Sequence, residues 1–446
     1  MKVIVLGSGI IGTASAWFLN KAGHDVTVID RQPGPAQETS FANGCQISVS
    51  HATPWANKTA PLTLLRSLGK EDAPLLYRFR AESLQWKWGM RFLRECTPAR
   101  TAYNIRQIVA IAEYSRQTLQ QVRAEAEIDY HCLTRGILHF YTDQKEFDSS
   151  LASAAIMREL GCARDPLTAD EAIKLEPALN AIRSQIVGAD FTASDESGDI
   201  YKFTTGLAKR AEARGVAFRF NHKVTRLIQE GTGNAARISG VEVIDEQGRH
   251  QVLHADAFVM AMGSFSVDVL KPLGIDLMIY PGKGYSATYP IINPAVAPTV
   301  SLIDDGHKLV VSRLGDQLRV AGTCEFNGYS RELNPARCEA ITRRARELFP
   351  DACDFSAPTY WAGLRPLTPS NIPYIGKTRF SNLYLNTGHG SLGWTMGCGS
   401  GQAIADIVSG RKPDVDFAFT GMPPQAAPIS SLPLIEPGTD RTDQRT

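Results

Sequence analysis

Gly7, Gly9 and Gly12 stand in the run GSGIIG, and the same spacing returns at Gly388, Gly390 and Gly393 in GHGSLG. Glycines so spaced at the start of a helix leave backbone N–H groups uncovered, and these groups bind anionic oxygens. A carboxylate, Asp30, follows Gly12 by 18 residues, where it can accept hydrogen bonds from both hydroxyls of a ribose. The chemistry indicated is the holding of a dinucleotide.

The elements around the first run agree with that reading. Residues 2–6 form a short apolar strand, IIGTASAWFLNKAG continues at helical spacing until Gly23 closes it, and DVTVID is a second strand ending in Asp30. Gly7 permits the turn, Gly9 lets backbone approach a pyrophosphate, and Gly12 lets the helix pack on its strand. Ile10 and Ile11 supply N–H groups of the first helical turn, where the helix dipole favours phosphate.

The second run sits between a strand, NLYLNT, and a helix, SLGWTMGCGSGQAIADIVSG, but it lacks an acid placed by a strand. Asp414 comes straight off the helix, so no second ribose site is formed. Backbone N–H groups at 390–395 suit a different charge, the anionic N1–C2 region of a reduced flavin. One FAD held at both ends follows: adenosine and pyrophosphate by residues 7–31, and the ring by Gly388, His389, Gly390, Leu392, Gly393, Trp394 and Thr395. The order of elements favours FAD over NAD as well. After Asp30 the simple alternation breaks into RQPGPAQETSFANGCQIS, and α/β character returns only near Phe203. ADAFVMAMGSFS, an apolar strand ending at Gly263, is similar to the second nucleotide-domain fingerprint of FAD enzymes that carry an inserted substrate domain.

The chain has 446 residues, 43% of them hydrophobic, which suits two domains rather than one. Lysine and arginine (47) nearly balance aspartate and glutamate (46), so no overall field recruits nucleic acid. Eight cysteines without a CxxC pair read as reduced thiols of a cytoplasmic protein, not as a zinc site or a disulfide framework. The apolar N-terminus is interrupted by three glycines and is read as the first fold element, neither a targeting peptide nor a membrane span. No metal cluster or Ser-His-Asp triad is legible.

The blocks VIVLGSGIIGTASAWFLNKAGHDVTVIDR, ETSFANGCQIS, VMAMGSFS, GKGYS, WAGLRPLTPSNIPYIGKTRF and LYLNTGHGSLGWTMGCGSGQAIADIVSGRKP together resemble the bacterial D-amino acid dehydrogenases of the D-amino acid oxidase superfamily. The resemblance runs from residue 1 to about 420. It implies one noncovalent FAD, oxidative deamination of D-amino acids to 2-oxo acids and ammonia, and electrons passed to the respiratory chain. Cys45 departs from it, since the family usually has glycine there.

Such a reaction requires the substrate carboxylate to be held. Arg365 in GLRP is the candidate, because a planar guanidinium can pair both oxygens. Tyr285 could close over the carboxylate with its phenol, and His51, with Trp55, could line the pocket. Lys283 is either near the flavin or a solvated loop residue. Arg31, Thr39 and Ser40 offer polar contacts to the cofactor, Gln46 lies in a segment beside the ring, and Val224 matches a family position whose backbone meets adenine.

The expected fold is α/β: a Rossmann-like FAD domain of residues 1–60, 199–275 and 355–421, interrupted by an α+β substrate domain of residues 61–198 and 276–354. The strand-like stretches GILHFYT, GYSATYP, KLVVSR and QLRVAG suggest a mixed or antiparallel sheet as pocket wall. Residues 422–446 read as a disordered tail. The helix within 71–95 is apolar on two sides, with Leu84, Trp88 and Phe92 in one row and Trp86, Met90 and Leu93 opposite. The stronger reading packs it between pocket and neighbour, with the following long helix as its partner. The other makes it the contact with the inner face of the membrane or a quinone acceptor. Other functions that remain open are a flavin amine oxidoreductase for D-hydroxyproline or N-methyl amino acids, and a noncatalytic FAD electron-transfer subunit.

Overall fold

The structure, a computed structural model, describes residues 1–67 and 69–423. The expected disordered tail lies almost wholly outside the described residues.

The valine- and isoleucine-rich strands Lys2–Leu6 and Asp25–Ile29 are buried on both faces, as central parallel strands must be. They pair in parallel with each other, and Lys2–Leu6 also pairs in parallel with Ala257–Met260. The sheet grows outward to Ala217–Arg219 on one side and to Leu383–Thr387 and antiparallel Tyr374–Lys377 on the other. Six strands from distant parts of the chain thus form the dinucleotide sheet. A three-stranded antiparallel meander, Lys223–Glu230, Arg237–Ile244 and His250–Leu253, stands beside it.

The helix Ile10–Lys21 packs against Gly393–Val408, which in turn meets the long helix Pro98–Ala126. Glycines make these crossings close. A Cβ on Gly401 would lie 2.8 Å from the backbone of Ala14, and one on Gly399 would lie 2.6 Å from Ser115 Cα. The glycines of GCGSG therefore serve helix packing, whereas those of GHGSLG lie at the helix start. Pro98–Ala126 buries its apolar face in this core and meets the Ser83–Glu95 helix through polar contacts of Arg100 and Asn104 with Glu95, rather than as its main packing partner.

The second sheet has nine strands and is mostly antiparallel. Tyr280–Pro290, the second strand from one edge, is flanked by Gln317–Phe326 on its inner side and by the edge strand Thr359–Leu367. The last of these was expected among the FAD-binding segments; its ladder places it here instead. Ser83–Glu95 buries only one of its two apolar rows. Trp88 is buried and donates from Nε1 to Leu367 O at 2.8 Å, while Trp86, Met90 and Leu93 are each more than half exposed. This corrects the reading of a helix packed on both sides.

Candidate active site

A single cavity of about 1730 Å³ runs from the first glycine turn to the face of the second sheet. Small-ligand sites usually measure ~300–1,000 Å³, so an extended ligand together with a small one fits better than either alone.

At its first end the strand-turn-helix geometry needs its glycines. Gly7 has φ +103°, and a Cβ there would lie 2.6 Å from Ala261 O. A Cβ on Gly12 would overlap Gly7 O, so Gly12 works by close packing and lies off the cavity wall. Gly9 caps the helix with its backbone, and the Ser40 hydroxyl accepts from Ile10 N at 3.1 Å. Asp30 lines the cavity and also braces the loop. Its Oδ2 accepts from Ser8 N at 2.7 Å and from Ser8 Oγ at 2.8 Å, and its Oδ1 accepts from Gln32 N at 2.9 Å.

Other expected cofactor residues are found on the same wall, several with structural duties. Ile11, Val224 and Gly263 line it. Arg31 pairs with Glu38 at 2.6 Å and lies over the Phe265 ring. Thr39 donates to Leu364 O at 2.9 Å, tying this segment to the strand that carries Arg365. Gln46 donates to Ser301 Oγ and Leu302 O at 2.9 and 3.0 Å, which bolts it to the second sheet.

At the other end Gly388 (φ +84°) and Gly390 (φ +55°) turn the chain into the helix. Between them His389 is 2% exposed, and neither ring nitrogen has a hydrogen-bond partner among the described residues. Burial lowers its pKa to about 3, so it is a neutral imidazole beside the cavity. A buried polar ring with no partner of its own, two glycines in left-handed conformation and a helix start form a cradle that fits the polar edge of a flavin. Leu392 and Gly393 line this cradle. Trp394 reaches it too, but its Nε1 donates to Gly198 O at 3.2 Å and its ring packs on Phe203. Thr395 lies off the wall; its hydroxyl accepts from Ser48 N at 3.0 Å and so anchors the Gln46–His51 segment.

Cys45 lies on the cavity wall. Its φ of +58° belongs to the region glycine adopts freely. The thiol is buried, takes a hydrogen bond from Arg319 Nη1 at 3.2 Å, and is pushed up in pKa by burial against the opposing pull of Arg319.

On the second sheet Arg365 faces the cavity, and among the described residues it makes no ion pair. Nη1 donates to Thr323 O at 2.6 Å and Nη2 to Gly322 O at 3.4 Å. Burial lowers its pKa, with Cys324 opposing. A guanidinium desolvated in this way and lacking a carboxylate suits a carboxylate ligand. Tyr285, by contrast, is committed elsewhere. Its hydroxyl donates to Glu325 Oε2 at 2.5 Å, and burial followed by that bond raises its pKa. Lys283 is not a solvated loop residue and lies off the cavity wall: it is buried on a strand, 3.1 Å from Glu325.

His51 lines a further lobe of the cavity, with its ring centroid 5.8 Å from that of His139. Burial, then the His139 charge, lowers the His51 pKa to about 4. The rest of this lobe went unnoticed in the sequence. His139 Nδ1 lies 3.0 Å from Asp305 Oδ2, and buried Arg164 binds Asp190, Ser50 O and Tyr141. These residues are scattered singles in the chain and carry no motif that could have flagged them.

Comparison with known proteins agrees with this geometry. Residues 2–407 match the family model described as DAO, FAD dependent oxidoreductase. A protein of Dechloromonas aromatica named D-amino acid dehydrogenase is 54% identical over 94% of this chain and 99% of its own length. One of the same name from Paramagnetospirillum magneticum is 49% identical over 95% of this chain and 98% of its own. Among solved structures, glycine oxidase from Bacillus cereus is 21% identical, covering 92% of this chain and 95% of its own with a TM-score of 0.68. L-proline dehydrogenase from P. horikoshii is 18% identical, covering 92% and 94% with a TM-score of 0.70; at these identities both show the shared fold. The chain belongs to the DAO family of FAD-dependent oxidoreductases.

Proposed function

We propose that the protein is a D-amino acid dehydrogenase, converting D-amino acids to 2-oxo acids and ammonia. The observation that carries the reading is Arg365, a half-buried cation with no acidic partner among the described residues, on the wall of the cavity that also contains the glycine cradle. The names of the relatives at 54% and 49% identity support the substrate class. FAD, which the turn at Gly7 and Gly9 and the cradle of Gly388, Gly390 and Gly393 would hold, would supply the acceptor for the hydride of the substrate Cα. Arg365 supplies the charge that fixes the substrate carboxylate, each such charged hydrogen bond contributing ~1.5–3 kcal/mol. The carbonyls of Gly322 and Thr323 hold the guanidinium in one orientation. His51 and His389, neutral near pH 7, add no positive charge to compete for the carboxylate.

Electrons leave to a membrane acceptor, with a quinone as the candidate, and Ser83–Glu95 is the docking face. Exposed Trp86, Met90 and Leu93 form its apolar row, Phe79 stacks on Trp86, and exposed Lys87, Arg91 and Arg94 flank it. Such a face suits an anionic lipid surface. Among the described residues no helix is long and apolar enough to cross a membrane.

The test is an anaerobic visible spectrum followed by titration with D-alanine, L-alanine and D- and L-proline. Flavin bands bleached by the D-forms alone support the reading. Bleaching by none of them moves it to the electron-transfer subunit.

A further inference from the structure

The strand that holds Arg365 in place is irregular at one residue. Gln317–Phe326 pairs with Tyr280–Pro290 at Gly322–Tyr285 and again at Glu325–Lys283. Thr323 and Cys324 therefore stand opposite the single residue Gly284, which makes a β-bulge. At the bulge the strand also changes its other neighbour: Leu309–Leu314 pairs up to Gly322, and Leu75–Tyr77 pairs from Cys324 onward. Bulges re-aim side chains, and they gather beside active sites.

Thr323 carries two local costs at this point. Its φ is +51°, a conformation that β-branched residues rarely adopt. Its hydroxyl is buried with no hydrogen-bond partner among the described residues, in a residue only 7% exposed. Glycine would remove the first cost, and either glycine or valine would remove the second. The residue nevertheless lines the cavity, and its carbonyl accepts from Arg365 Nη1 at 2.6 Å, so the unpartnered hydroxyl belongs to the residue that touches the unpaired guanidinium.

We propose that the Thr323 hydroxyl is a second donor to the substrate carboxylate, completing a site in which Arg365 supplies the charge. The proposal rests on the carboxylate-binding reading of Arg365. A carboxylate seated against the guanidinium satisfies both groups at once: the cation gains its counter-charge and the hydroxyl gains an acceptor. The bulge brings Thr323 and Arg365 to the same cavity wall.

The test uses the FAD-loaded protein with two variants, Thr323→Val, which removes the hydroxyl and keeps the branch, and Thr323→Ser, which keeps the hydroxyl. D-Alanine turnover is measured alongside binding of propionate, a carboxylate with no amine to oxidise, followed through the flavin spectrum. Thr323→Val is expected to raise both KM and the propionate Kd about tenfold, or ~1.4 kcal/mol. Its kcat should stay within about twofold of the parent and its Tm should not fall, while Thr323→Ser stays within about twofold of the parent in every measure. Parental values in Thr323→Val, or equal impairment of both variants, would overturn the proposal, the second outcome assigning Thr323 a backbone role alone. If D-alanine reduces no flavin, the substrate reading fails, yet the propionate arm still decides on the hydroxyl. Propionate that does not bind the parent protein would overturn both.

Discussion

The guanidinium of Arg365 lies where a side chain on Gly284 would be. A Cβ at Gly284 would overlap Arg365 Cζ and stand 2.6 Å from Nη2, so the strand Tyr280–Pro290 accepts the arginine only because it has glycine there. Two variants follow from this relationship. Arg365→Met is expected to retain FAD and to lose ~100-fold or more in kcat/KM for D-amino acids, chiefly through KM. Gly284→Ala should lose at least ~10-fold by displacing the same group. Steady-state kinetics with the flavin spectrum as control checks both; unchanged kinetics in Arg365→Met would remove it from the site.

Stability should respond to mild acid. Burial holds His51 at about 4 and His389 at about 3, both below the ordinary 6.5. The unfolded chain therefore takes up these protons first, and stability present above about pH 6.5 is lost as pH falls toward 4. Asp305 acts in a lower window: against the upward push of burial, the His139 hydrogen bond and charge hold its carboxyl below 3.8, so its contribution is lost only below about pH 4. Thermal melts across pH 7 to 4 should show Tm falling, with a shallower slope in His51→Gln. An unaltered slope would mean that His51 does not titrate as a buried group.

The glycines after the second cradle should separate stability from cofactor affinity. Gly399 meets Ser115 so closely that its amide accepts no spacer, and its N–H donates to Ser115 Oγ at 3.0 Å. Gly399→Val is expected to cost ~1–3 kcal/mol or more by overpacking, read as a lower Tm. FAD affinity of the folded fraction should change little, and a specific loss of FAD without a fall in Tm would contradict the packing role.

The Ser83–Glu95 face predicts lipid selectivity. Vesicles containing anionic lipid should co-sediment the protein and neutral vesicles should not, with binding weakened by salt. Replacing Trp86, Met90 and Leu93 together by serine should abolish co-sedimentation and leave turnover with a soluble dye acceptor unchanged, since the helix faces the second sheet with Trp88. Retained binding would move the docking face elsewhere.

The glycine turns and the strands beside them were legible from the chain alone because their geometry is local. Gly7, Gly9, Gly12 and Asp30 are joined by one turn and one pair of parallel strands, so spacing and residue type dictate the shape. Gly388 and Gly390 are similar, since a left-handed turn into a helix is a property of a few consecutive residues. What only tertiary structure decided lies across long separations. That Arg365 has no acidic partner among the described residues while Tyr285 and Lys283 share Glu325 depends on the register of three strands far apart in sequence. The Thr323 bulge exists only as a mismatch between two paired strands, which neither strand encodes by itself. Ser83–Glu95 has two apolar rows of equal sequence quality, and its docking against Leu367 determined which one was buried. Local hydrogen bonding and periodicity are written in neighbouring residues; partner, register and exposure are set by the other side of each contact.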